Sequence, residues 1–226
     1  MLLRMHSKNR AVMALVALLV LAVGGFLYSG HRKQEKQRVI AEAVKDASLR
    51  LRQTLAVAPN AASRGSLSRL ELNLKAVDAD LETVRKSASS SDRGLGDGAE
   101  HYVLSAREIL RQQVNSIRVA QEAASSREAL IAHMRQSSRR DSSWIHDAIK
   151  QKKRVEADYF SYNLALKALT ELLWGFPDAR KRLVPHIDER FLLDVGPAED
   201  ARRLAMKESR RASEDLDFLR RLALNN

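Results

Sequence analysis

Apolar residues recur along most of this chain at three- and four-residue steps, the spacing of one buried helix face. In residues 31–58 they are Ile40, Val44, Ala47, Leu51 and Leu55, with no helix breaker until Pro59 and Asn60. Residues 59–65 read as a turn. Ser66 is a candidate N-cap for a helix over 66–88, where Leu67, Leu70, Leu74, Val77, Leu81, Val84 and Ala88 make a coiled-coil-like seam. Residues 89–98, rich in Ser and Gly, predict a flexible loop. A third helix is expected over 99–136, with Val103, Ala106, Leu110, Ile117, Ala120, Ala124, Ile131 and Met134 on its seam. Gln113 and Arg127 interrupt that seam. Asp141 or Ser142 caps a fourth helix carrying Ile145, Ala148, Val155, Tyr159, Tyr162, Leu166, Leu169 and Leu173. Gly175 and Pro177 are expected to end it. Residues 178–184 and 186–193 read as short helices around Pro185, and Pro197 opens a last helix to about Leu222. The apolar face of that helix (Ala201, Leu204, Ala205, Ala212, Leu216, Leu219) is weak and alanine-rich.

The one departure from this spacing is residues 11–28, eighteen positions without a charge, an amide or a proline. As a helix the run covers roughly 27 Å, close to the thickness of a bilayer core. A transmembrane helix is therefore expected over 11–29. Arg4, Lys8 and Arg10 precede it; Arg32, Lys33, Lys36 and Arg38 follow. Both flanks are basic, so the positive-inside rule nearly cancels. A cationic tail is hard to translocate, and this favours a cytoplasmic N-terminus, with the body on the non-cytoplasmic side of a bacterial inner membrane. A cleavable signal peptide cut after Gly25 is the alternative, but the apolar run continues through Phe26, Leu27 and Tyr28.

No period-2 alternation long enough for a sheet occurs. The expected fold is all-α: a single N-terminal transmembrane helix continuing into an elongated antiparallel four-helix, coiled-coil-like bundle, followed by short helices and a C-terminal amphipathic helix. The corresponding segments are a basic tail (1–10), the membrane helix (11–29), the bundle (30–176), a short-helix connector (177–196) and the final helix (197–226). The third and fourth helices, about 57 and 50 Å long against roughly 40 and 35 Å for the first pair, should project as a hairpin beyond them. Trp174 and Phe176 would then return near the headgroups, at the height of Tyr28.

Composition agrees with long helices, since the 226 residues hold 9 Gly and 4 Pro. The absence of cysteine removes disulfides, thiolate metal sites and cysteine nucleophiles. No Glu stands three residues before any of the 6 histidines, and no His pair is spaced i, i+4, so bundle-type and zincin-type metal sites have no ligands. Gly94, Gly96 and Gly98 precede a helix but lack the strand and the Gly-Lys-Ser/Thr of phosphate-cradling loops. No Gly-x-Ser-x-Gly elbow is present. These absences argue against an enzyme and against a cofactor. The net charge of +11 favours anionic lipid or an acidic protein. Nucleic acid is disfavoured, because Tyr159 and Tyr162 beside the 150–154 basic cluster lie on the seam rather than in a stacking position.

Two groups of residues stand out as candidate contacts. Arg135, Arg139, Arg140, Trp144 and Ile145 cluster at the hairpin tip, an aromatic rimmed by arginines as in interface hot spots. Arg32, Lys33, Lys36, Arg38 and Trp174 are candidates for lipid headgroups. One membrane helix leading into a four-helix bundle resembles the sensing half of bacterial chemoreceptors. A second membrane helix and a signalling module are missing, so that function is not carried over. The expected function is a membrane-anchored helical scaffold or assembly component. Its partners would be the bilayer and other membrane or envelope proteins, including further copies of itself. Contact would run through the tip and an exposed helix face, chiefly that of residues 202–222. The alternative is a membrane-tethered ligand sensor with a separate signalling partner, in which Gln113 and Arg127 would mark a polar pocket.

Overall fold

A computed structural model describes the backbone of residues 2–58, 64–88, 93–135 and 141–224, with side chains from residue 28 to 221 apart from Arg64. All described secondary structure is helical: α1 (Leu2–Leu55), α2 (Arg64–Ala88), α3 (Arg93–Arg135), α4 (Ser142–Leu183), a 3₁₀ turn (Glu189–Phe191) and α5 (Val195–Leu224). α3 is central, packed against α1, α2 and α4, while α5 lies on α4. This is a five-helix bundle, and among the described residues α1 and α4 do not approach closely.

Cross-helix pairs set the directions. Arg85 bonds Glu100 at 2.8 Å and Arg118 bonds Glu71 at 3.0 Å, so α2 and α3 are antiparallel. Gln112 Nε2 donates to Ala165 O at 2.8 Å near mid-helix, whereas His133 meets Trp144 at the hairpin, so α3 and α4 are antiparallel too. The pairs Asn163–Ser213 and Glu156–Arg220 do the same for α4 and α5. The predicted stripes are the buried ones. Ile40, Val44, Ala47, Leu51 and Leu55 meet Val77, Leu81 and Val84 and the α3 residues Val103, Ala106 and Leu110 in one core. α3 and α4 outreach α2: Glu71 stands opposite Arg118 and α2 starts two turns earlier, at Arg64, so their hairpin projects beyond it only past about residue 125.

Two expected breaks are instead continuous helix. α4 runs through Trp174, Gly175, Phe176 and Pro177 to Leu183. A proline inside a helix costs about 3 kcal/mol. The stripe runs across it with Phe176 before the proline and Ala179 and Leu183 after it, all fully buried. Burying those side chains returns roughly 5 kcal/mol, so packing overrides the breaker. α3 likewise starts at Arg93, ahead of the glycines expected in a loop. There a Cβ on Gly98 would stand 3.3 Å from Arg182 O, and one on Gly94 2.7 Å from the His186 ring. Gly98 is a contact point where the end of α4 lies against α3, tighter than a Cβ ordinarily meets, and Gly94 faces the His186 ring just beyond that end. Residues 178–183 therefore belong to α4, leaving the 3₁₀ turn as the one short helix before α5.

The expected single-pass membrane localisation is corrected. Among the described residues no helix is long and apolar enough to cross a membrane. The physical reason lies in the described part of α1, where Arg32, Lys33, Lys36, Arg38, Lys45, Arg50 and Arg52 leave no uncharged stretch of sufficient length. Residues 11–27, which carried that expectation, lie outside the residues whose side chains are described.

Candidate functional site

The hairpin tip is built around an aromatic pair. Asp141 caps α4, its Oδ1 accepting from the Trp144 N–H at 2.9 Å. The Trp144 ring stacks on His133 with centroids 5.2 Å apart and planes 13° from parallel. The indole N–H donates to His133 O at 3.4 Å, and His133 Nε2 sits 3.2 Å from Trp144 O. Trp144 is thus half-buried as the clasp that closes α3 onto α4. Arg135 and Ile145 are exposed beside it; Arg139 and Arg140 lie outside the described residues.

The residues singled out for lipid contact are scattered. Arg32 and Lys33 are exposed on α1, Lys36 is half-buried, and Arg38 pairs with Glu42 at 3.1 Å. Trp174 is 70% exposed, with the Arg202 guanidinium 4.8 Å above its ring. Phe176 is in the core, 5.3 Å from the Tyr102 ring, and so cannot lie at a surface. The four cations stand on α1 and Trp174 on α4, two helices that do not approach closely among the described residues, so the structure does not gather them into one site.

The seam interruptions part company. Gln113 is buried and its Nε2 donates to Val57 O at 2.6 Å, satisfying a carbonyl just past the end of α1. Its role is structural. Arg127 instead lines a cleft of about 270 Å³ with Tyr159 and Tyr162 of α4 and Glu208, Arg211 and Asp215 of α5. α3 and α5 flank α4 without packing closely on each other, and the seam positions there are small: Ala120, Ala123, Ala124 and Ala212. Alanines in a stripe elsewhere filled by Leu and Val leave the opening. Glu208 is buried and pairs with Arg211 at 3.0 Å. Tyr162 Oη and Arg127 Nε are buried without a hydrogen-bond partner. Burial, then the Glu208 charge and Tyr159, push the Tyr162 hydroxyl upward, so it keeps its proton.

On the outer side of the α4–α5 contact a second groove, about 540 Å³, is lined by Phe160, Leu164 and Met206 with Asn163, Lys167 and Ser209. Phe160, Leu164 and Met206 are 69%, 59% and 53% exposed. The seam of α5, in contrast, is covered: Ala205, Ala212, Leu216 and Leu219 are buried against the body. The face expected to await a partner is used internally, and the exposed apolar residues stand off the seam. Phe160 and Leu164, four apart on a second line of α4, carried that signal in the sequence.

No protein-family model, curated protein or solved structure matches the chain.

Proposed function

We propose that this chain is a helical scaffold that binds a partner protein through the groove between α4 and α5. The observation that carries the reading is the co-location of Phe160, Leu164 and Met206, three large apolar side chains more than half exposed in one groove. Isolated exposed leucines are ordinary, but a contiguous apolar patch on a helical face is the composition of a docking site. The occupant that fits is an acidic amphipathic helix. A groove between two antiparallel helices accepts a third at coiled-coil spacing, Lys167 stands on its rim, and the +11 net charge steers an acidic partner toward it.

The test is a photo-crosslinking residue placed at Phe160 in the full chain, with one at the isolated exposed Leu72 as control. The expected result is a discrete protein adduct at Phe160, lost when Leu164 and Met206 are both changed to Ser, and mapped to an acidic amphipathic helix. Adducts no more abundant than at Leu72 would overturn the reading. The hairpin tip contributes less on this view, because Trp144 is occupied with His133.

A further inference from the structure

We infer that the cleft between α3 and α5, floored by Tyr159 and Tyr162, binds a small dipolar molecule carrying a carboxylate and an ammonium, of the size of a free amino acid. This site is separate from the partner groove, which lies on the other side of the α4–α5 contact.

Four observations converge on it. The first is room: about 270 Å³ opens because alanines occupy the stripe on both walls. The second is a donor pair. Tyr162 is only 6% exposed, yet its hydroxyl has no partner, and Arg127 Nε, from the same cleft lining, is equally without one. Buried polar groups in a folded protein are normally paired, because leaving one unmade costs its desolvation. Two such donors lining one cleft call for an acceptor there, and a carboxylate, with two acceptor oxygens, is the group that suits an N–H and an O–H together.

The third observation is the charge on the facing helix. Glu208 is committed to Arg211 at 3.0 Å, whereas Asp215 enters no ion pair among the described residues. Arg127 and Asp215 both act on Tyr159, from opposite signs, yet no ion pair joins them. The fourth is the balance that results. A simple anion at Arg127 would face Asp215 and Glu208, and a simple cation at Asp215 would face Arg127 and Arg211. A molecule with both charges meets each with its opposite and adds no net charge to a half-buried site.

Calorimetric titration of the full chain tests this, with the common amino acids added one at a time and acetate and methylammonium as the two half-ligands. The expected result is saturable binding of at least one amino acid at micromolar to millimolar affinity, with neither half-ligand binding at the same concentration. Arg127→Gln and Tyr162→Phe should each weaken that binding about tenfold or more, the worth of one charge-assisted hydrogen bond. Tyr162→Phe also guards against a folding artefact, because removing an unpaired buried hydroxyl should leave the melting temperature of the unliganded chain unchanged or higher. No saturable heat with any amino acid, acetate binding as well as the dipolar compounds, or binding indifferent to both substitutions would each overturn the proposal.

Discussion

Tyr102 on α3 and Tyr162 on α4 are both buried, and they are held in opposite ways. The Ser48 hydroxyl donates to Val44 O at 2.8 Å, so Tyr102 donates its own proton to Ser48 Oγ at 2.8 Å and accepts from the Leu193 N–H at 2.9 Å. One phenol thereby ties α1, α3 and the segment before α5 together, with Phe176 against its ring. Around it the core is filled by Ile40, Val44, Leu51 and Leu183. Tyr162 sits among alanines, its hydroxyl unmatched. A network satisfied on every atom marks a place whose task is to hold the fold. A half-satisfied one of equal burial marks a place kept open for something else.

The contrast is broken most directly at its structural end. Phe176→Ala removes a fully buried ring from the Tyr102 cluster and leaves a cavity where α3 and α4 meet. A loss of about 3–5 kcal/mol is expected in urea unfolding. A loss under about 1 kcal/mol would mean that α4 around Pro177 is not anchored by its stripe.

The same substitution made at both tyrosines sharpens the comparison. Tyr102→Phe strands the buried Leu193 N–H and should cost about 1–3 kcal/mol. Tyr162→Phe strands nothing and should be neutral or stabilising by under about 1 kcal/mol. Equal losses at the two positions would show that the hydroxyl of Tyr162 has a partner after all.

How much of this could be read from the chain follows from the same difference. Leu70, Val77, Leu81, Val84, Val103 and Leu110 were legible because burial imposes a period that each residue satisfies by itself. The continuation of α4 through Pro177 was not, since the breaker is local whereas Phe176, Ala179 and Leu183 gain only from tertiary contact. Gly94 and Gly98 read as loop for the same reason: their purpose is the backbone of Arg182 and the ring of His186, far away in sequence. Arg127 was visible as a seam interruption, but Tyr162 read as core, because nothing in a one-dimensional pattern says whether a buried hydroxyl finds a partner. The apolar run at 11–28 was weighed by length and hydropathy alone, and the membrane localisation drawn from it does not stand among the described residues.

Glycines offer a smaller test of where the fold is filled and where it is open. At Gly98 a Cβ would press on the Arg182 carbonyl, backbone that cannot step aside, so Gly98→Ala should lose about 1 kcal/mol despite better helix propensity. At Gly175 a Cβ meets nothing within 4 Å. Gly175→Ala should therefore gain about 0.5–1 kcal/mol in chemical unfolding. Opposite signs for one substitution at two helical sites are the expected outcome, and like signs would deny the close approach at Gly98.

The smallest effect concerns a charge buried in the well-filled region. Asp80 accepts from Arg50 Nη1 at 2.7 Å, and its side chain is only 15% exposed. Burial there outweighs the Arg50 attraction, Asp46 adds repulsion, and the carboxyl is pushed up from 3.8 to about 6. Between those values the folded state holds a proton that the unfolded chain has released, so stability falls as pH rises through the interval. The contribution is fully present below the lower value and gone above the upper one. Water reaching the partly exposed Arg50 guanidinium screens the pair and holds the effect to under about 1 kcal/mol. Urea unfolding of the wild type and of Asp80→Asn, each from pH 4 to 7, isolates the term, because the asparagine cannot titrate. The stability difference between them should shift against the wild type as pH rises and then level off. A shift in the wild type's favour would mean that the guanidinium, rather than the loss of water, governs Asp80, and that this side of the bundle gains from its ion pair at neutral pH.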